Sequence, residues 1–158
     1  MNHYENIPEE LKQLPQWVCH RNKVPFSPVT GAPAKAGQPV TWARFEDAVN
    51  ACSNHDGIGF EFNNNDIVGI DLDKVLDADG TLLPEAAGIV EIMDSYTEIS
   101  PSGRGLHIFV KGDVPASGRR KGFIEVYKAG RYFTVTGNVL RHCEANKRAY
   151  RAIKAVVG

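Results

Sequence analysis

The chain has 158 residues, a net charge of −1 and 42% hydrophobic residues, enough for one sizeable core and therefore one expected domain. No apolar run approaches the roughly 20 residues that span a bilayer, and residues 1–6 carry neither a basic start nor an apolar stretch, so no membrane partner and no secretory signal are expected. Cys19, Cys52 and Cys143 are odd in number and form no CxxC pair, which speaks against a zinc knuckle or disulfide framework and for a reducing, cytoplasmic setting.

In chain order, Pro8 opens a short helix over 8–12. A strand over 17–20, an edge strand over 24–26 and a Gly/Pro-rich loop over 28–39 follow. Thr41 is placed to cap a helix that carries Phe45, Ala48, Val49 and Cys52 at helical spacing. The strand over 57–62 turns at Asn63-Asn64-Asn65 into a strand ending at Asp73, so the two are expected to pair as a hairpin. Asp79-Gly80 marks a turn, and 84–96 reads as a helix with Ala87, Val90 and Met93 on one face. Strands then dominate, over 97–100, 106–111, 123–127 and 132–136, before a helix over 145–157. The order predicts an α+β fold, a largely antiparallel sheet backed by helices.

Charge is divided along the chain. Residues 56–98 hold eleven acidic side chains and one basic one, Lys74, whereas 104–131 hold seven basic side chains against Asp113 and Glu125. Such a division suits a site for divalent cations and phosphates, although charges also simply solvate exposed faces.

The run Ile67-Val68-Gly69-Ile70-Asp71-Leu72-Asp73 is the most informative. Alternation puts Asp71 and Asp73 on one face and Val68, Ile70 and Leu72 on the other, toward a core. Two carboxylates about 5 Å apart repel by about 3 kcal/mol at an effective dielectric near 20, a penalty that a shared cation removes. An exposed acidic turn explains the pair equally well, since Asp77 and Asp79 follow.

Ser100-Pro101-Ser102-Gly103-Arg104-Gly105 is a turn whose backbone N–H groups could cradle an anion, and it leads into a strand that sends His107 to the face opposite Leu106, Ile108 and Val110. A strand follows where a Rossmann motif requires a helix, so no dinucleotide site is read here. In Ile124-Glu125-Val126-Tyr127 an acid interrupts an amphipathic strand. A cross-strand pair with Lys111 or Arg131 would account for Glu125, as would a role as third metal ligand. Arg119-Arg120-Lys121 is expected in a Gly-flanked loop able to grip phosphates. The EF-hand pattern fails, because Val75 and Leu76 occupy its fifth and sixth positions counted from Asp71. A haloacid-dehalogenase first motif fails at Val75, where that family has threonine.

These parts in this order, Asp71-x-Asp73, Ser102-Gly103-x-Gly105-x-His107 and Ile124-Glu125, resemble the archaeo-eukaryotic primase superfamily. They are most similar to the bifunctional primase/polymerase (Prim-Pol) domains of phage and plasmid replication proteins. Residues 97–108, 118–122 and 130–137 carry the resemblance, with Trp17, Lys23-Val24-Pro25 and Thr41-Trp42-x-x-Phe45 matching the small leading lobe. The resemblance implies an RRM-like, mostly antiparallel sheet backed by helices with a small N-terminal α/β lobe, a single catalytic domain over 1–158 divided as 1–56 and 57–158. It implies Mg²⁺ or Mn²⁺ held by Asp71, Asp73 and Glu125. It places His107 on the incoming nucleotide's phosphates, with Ser102, Gly103, Arg104 and Gly105 nearby and Arg120, Lys121 and Arg131 on phosphate or template. The expected activity is template-directed nucleotidyl transfer from dNTP or NTP on single-stranded DNA. Relatives commonly continue into a helicase module, so a helicase partner is expected as well. The rival readings are a catalytically silent nucleic-acid-binding module and a metal-dependent phosphatase or nuclease using the same acid pair.

Overall fold

The computed structural model describes residues 3–115 and 117–141; the helix expected over 145–157, and Cys143, lie outside them. Two sheets, antiparallel at every pairing, carry the fold. The smaller has the order β2-β1-β3-β9 and the larger β10-β5-β6-β4-β8-β7. The strands are β1 Trp17–Arg21, β2 Val24–Phe26, β3 Gly57–Asn63, β4 Ile67–Leu72, β5 Thr97–Ile99, β6 Leu106–Lys111, β7 Arg119–Lys121, β8 Ile124–Tyr127, β9 Ala129–Val135 and β10 Val139–Arg141. Among the described residues three α-helices accompany them, α1 Glu9–Lys12, α2 Phe45–Ala51 and α3 Pro84–Met93. The expected α+β class with mostly antiparallel pairing is what the chain adopts.

Each sheet follows from its alternation. Val68, Ile70 and Leu72 of β4, Leu106, Ile108 and Val110 of β6, and Ile124 and Val126 of β8 form one apolar face, covered by Ala86, Ile89, Val90 and Met93 of α3. The buried stripe of α3 thus runs through Ala86 rather than Ala87, and the helix stops at Met93 because Asp94 adopts a left-handed conformation (φ 47°). The opposite face of the large sheet packs on the small one through Trp17, Ile58, Phe60, Phe62, Ile67, Phe109 and Phe133. Gly69 lets the sheets close: a Cβ there would lie 2.3 Å from Phe62 Cζ and 2.6 Å from Phe133 Cε2.

Four local expectations are corrected. β3 and β4 do not pair as a hairpin; β3 bonds to β1 and β9, and β4 crosses into the other sheet between β6 and β8. Both strands have an aromatic or aliphatic core face, and a local turn cannot compete with two non-local partners apiece. Thr41 ends a 3-10 turn, bonding to Lys35 and Gln38, while Arg44 stands at the N-cap of α2. Arg119-Arg120-Lys121 is an edge strand instead of a loop, folded back on β8 by a two-residue turn at Gly122 (φ 60°) and Phe123. Its charges suit an exposed sheet edge. β10 was not expected at all. The small sheet takes two strands from before residue 57 and two from residue 57 onward.

Candidate active site

Register across the large sheet sets five ionisable side chains in one row. Glu98 stands opposite His107, His107 opposite Asp71, Asp71 opposite Glu125, and Glu125 opposite Arg120. Residues directly opposite one another share a face with Cβ atoms about 5 Å apart. The row lies on the face turned toward the small sheet, where the interlocking aromatic core ends. Asp73 sits one residue past β4, exposed, its N–H bonded to Phe123 O at 3.1 Å.

Asp71 is half-buried, and its carboxyl is pushed up to about 6, first by burial, then by the charges of Glu125 and Asp73, with Arg131 opposing. His107 stacks on Phe133 with ring centroids 4.5 Å apart. Its Nδ1 donates to Thr134 O at 3.3 Å, so Nε2 carries the lone pair, 3.8 Å from Asp71 Oδ1. Burial, the largest influence, and Arg131 lower its pKa to about 4, against the Thr134 bond. The imidazole is therefore neutral near pH 7, and its contact with Asp71 is not an ion pair.

Glu125 is engaged by cations. Arg131 Nη2 is 3.7 Å away, Arg120 Nε is 3.5 Å away, and the Tyr127 hydroxyl donates to its carboxylate. Arg131 also lies over the Tyr127 ring at 4.6 Å, while Lys111 pairs with Glu10 instead. Among the described residues no group of three His, Cys, Asp or Glu side chains is arranged to hold a metal ion. The donor chemistry nevertheless fits a hard divalent cation: only carboxylate oxygens, close enough that Asp71 feels both neighbours as repulsion.

A cleft of about 1200 Å³ opens beside the row. Asp71, Asp73, His107, Ser100, Ser102 and Gly105 line it, the edge strand β9 runs through it from Gly130 to Val135, and His20, Lys23, Asp56 and Glu61 line it as well. Of the residues singled out in the sequence, Asp71, Asp73, His107, Ser102, Gly105 and Arg131 line the cleft, whereas Glu125, Gly103, Arg104, Arg120 and Lys121 do not. Arg104 turns away, donating from Nε to Leu76 O and accepting at its carbonyl from Val75 and Leu76. The anticipated backbone cradle is also altered. Gly103 N donates to Ser100 O, Gly105 N to Ser100 Oγ and Arg104 N to Ser102 Oγ, so these N–H groups hold the turn itself. What the turn offers the cleft is the paired hydroxyls of Ser100 and Ser102, 3.0 Å apart.

Sequence reasoning missed Glu98, Thr134 and Glu61. Glu98 is buried and accepts from Tyr96 Oη (2.7 Å), Thr136 N (3.0 Å) and Gly137 N (2.8 Å), tying β5 to the end of β9. Burial raises its pKa against those bonds. An acid inside a short strand, as at Glu125, was the available signal for both Glu98 and Glu61. Thr134 acts through its carbonyl, which no side-chain pattern reveals.

No protein-family model matches the chain. A curated protein described as a DNA Primase-polymerase, from Nitratiruptor phage NrS-1, is 36% identical over 143 residues, covering 82% of this chain. The chain spans about a fifth of that relative's length (20%). Identity at this level along most of the chain bears out the resemblance read from the sequence motifs: the chain is similar to a segment of a phage DNA Primase-polymerase.

Proposed function

We propose that the chain is a DNA primase-polymerase catalytic domain, joining nucleotides to a growing strand on a single-stranded DNA template during phage or plasmid replication. The observation that carries this reading is the row His107–Asp71–Glu125 on three neighbouring strands, found in a chain similar to a phage primase-polymerase. The antiparallel sheet supports the RRM-like core expected of that family, and 1–158 would act as one catalytic unit in the cytoplasm. A helicase module would be the natural partner of such a domain.

Asp71, Asp73 and Glu125 would hold Mg²⁺ or Mn²⁺, which when bound activates the attacking hydroxyl and neutralises the triphosphate. The chain's own residues position and exclude. His107, neutral and anchored through Nδ1 to Thr134 O, presents a fixed Nε2 at the cleft beside Asp71. Such anchoring keeps the ring's orientation independent of substrate. Ser100 and Ser102 supply hydroxyls for phosphate oxygens, and Arg131 supplies positive charge in the same cleft. Arg119, Arg120 and Lys121 on the exposed edge of the large sheet would meet the template backbone.

Primer extension on single-stranded DNA with Mg²⁺ or Mn²⁺ tests the reading. Incorporation by wild type and none by Asp71→Ala is expected. DNA binding without incorporation by the wild type would favour the silent binding module, and phosphomonoester or DNA hydrolysis without incorporation would favour the hydrolase.

A further inference from the structure

Strand β3, which lends Gly57 and Glu61 to the cleft, presents Gly57, Gly59 and Glu61 on the face opposite the core residues Ile58, Phe60 and Phe62. The two glycines let Tyr132 and His20 pack down onto the strand. A Cβ at Gly59 would lie 2.6 Å from the Tyr132 ring, and one at Gly57 would lie 3.0 Å from His20 Nε2. Glu61, paired in register with Tyr132, is only 1% exposed yet lines the cleft, and its Oε1 has no hydrogen-bond partner among the described residues. A buried acceptor left without a donor is unfavourable, so its retention asks for a ligand that supplies one.

We propose that Glu61 is a substrate-orienting residue that accepts a hydrogen bond from the nucleoside end of the bound nucleotide, a sugar hydroxyl or a base N–H. The inference rests on the nucleotide-site reading above. Phosphate oxygens are acceptors and anionic, so Glu61 repels them. The donors of a nucleoside triphosphate all lie on its sugar and base. The lining therefore offers two chemistries, the hydroxyls of Ser100 and Ser102 with the Arg131 cation for phosphate and the Glu61 carboxyl for the nucleoside. Burial raises the Glu61 pKa to about 7, in keeping with a carboxyl that lacks local compensation.

The test is titration of wild type, Glu61→Leu and Glu61→Gln with dATP, ATP, ddATP and inorganic tripolyphosphate, all with Mg²⁺, and thermal melting as the fold control. Glu61→Leu is expected to weaken dATP about 10-fold or more while tripolyphosphate changes by less than about twofold. Glu61→Gln, of the same shape and still bearing one acceptor, is expected to fall between and keeps the test usable should the leucine variant not fold. If ddATP binds wild type as weakly as dATP binds Glu61→Leu, the donor is the sugar hydroxyl; if ddATP and dATP lose equally on substitution, it is on the base. Unchanged dATP affinity in both variants, or equal loss of dATP and tripolyphosphate, overturns the role of Glu61 alone. Wild type that binds neither probe overturns the nucleotide site itself.

Discussion

Asp71 and Glu125 stand directly opposite each other on β4 and β8, two like charges held side by side by backbone register although 54 residues separate them in sequence. Directly opposed like charges destabilise an antiparallel pair. Such an arrangement trades stability for a site, and it gives a signature separable from simple loss of structure. Asp71→Asn is expected to abolish nucleotide incorporation while raising the melting temperature by a few degrees, about 1 kcal/mol for a chain of this size. Incorporation assays and calorimetry on the same preparation check it. A variant that is both inactive and less stable would count against the charge argument.

The pH dependence has a definite sign. Glu61 is raised from 4.5 to about 7 by burial, so the folded state binds more protons than the unfolded state between those values. Its contribution is fully present below pH 4.5 and is lost as pH rises through 7. His107 runs the other way: lowered from 6.5 to about 4, it contributes stability above pH 6.5 that is lost as pH falls toward 4. Glu61→Gln should therefore gain on wild type as pH rises from 5 to 8, by at most about 3 kcal/mol. Urea titrations at matched pH without divalent metal, analysed as a difference between variant and wild type, isolate that term from the opposing histidine.

Gly69→Ala is expected to unfold the protein or lower its melting temperature by 10 °C or so, because the added methyl enters the Phe62–Phe133 contact and overpacking by a methyl group costs about 1–3 kcal/mol or more. Circular dichroism melts decide the matter. The same substitution at Gly88, whose Cβ would meet nothing within 4 Å, should be neutral or stabilising and serves as control.

Glu98→Gln keeps shape but turns an amide NH₂ toward donors. Of the Tyr96 hydroxyl and the Thr136 and Gly137 N–H groups that Glu98 satisfies, at least one loses its acceptor. A loss of about 2–4 kcal/mol is expected in equilibrium unfolding. Because Glu98 fixes the end of β9, and β9 carries the Thr134 carbonyl that anchors His107, incorporation should fall more than the folded fraction does.

Neutralising Arg119, Arg120 and Lys121 together should weaken single-stranded DNA binding at low salt with little effect on stability, since the strand is fully exposed. The slope of log K against log salt is expected to drop by up to about 2, near 0.7 for each phosphate that the variant no longer neutralises. Fluorescence anisotropy across a salt series measures it. An unchanged slope would place the template elsewhere.

What the sequence determined by itself was the face of each strand. Period-2 alternation assigned Val68, Ile70 and Leu72 to a core and Asp71 and His107 to the reverse side, and the structure has them so. Motif order and spacing gave the resemblance that the 36% identity to the phage relative bears out. Pairing partners were another matter. Alternation is the same for any neighbour, so nothing local distinguished a β3–β4 hairpin from the observed crossing between two sheets. The neutral state of His107 and the unpartnered oxygen of Glu61 depend on chain segments distant in sequence, whereas the Glu125–Arg131 pair, only six residues apart, was one of two partners the sequence offered. Burial and Coulomb terms act through space, and only the packing of the two sheets around Gly69 decided which groups they act upon.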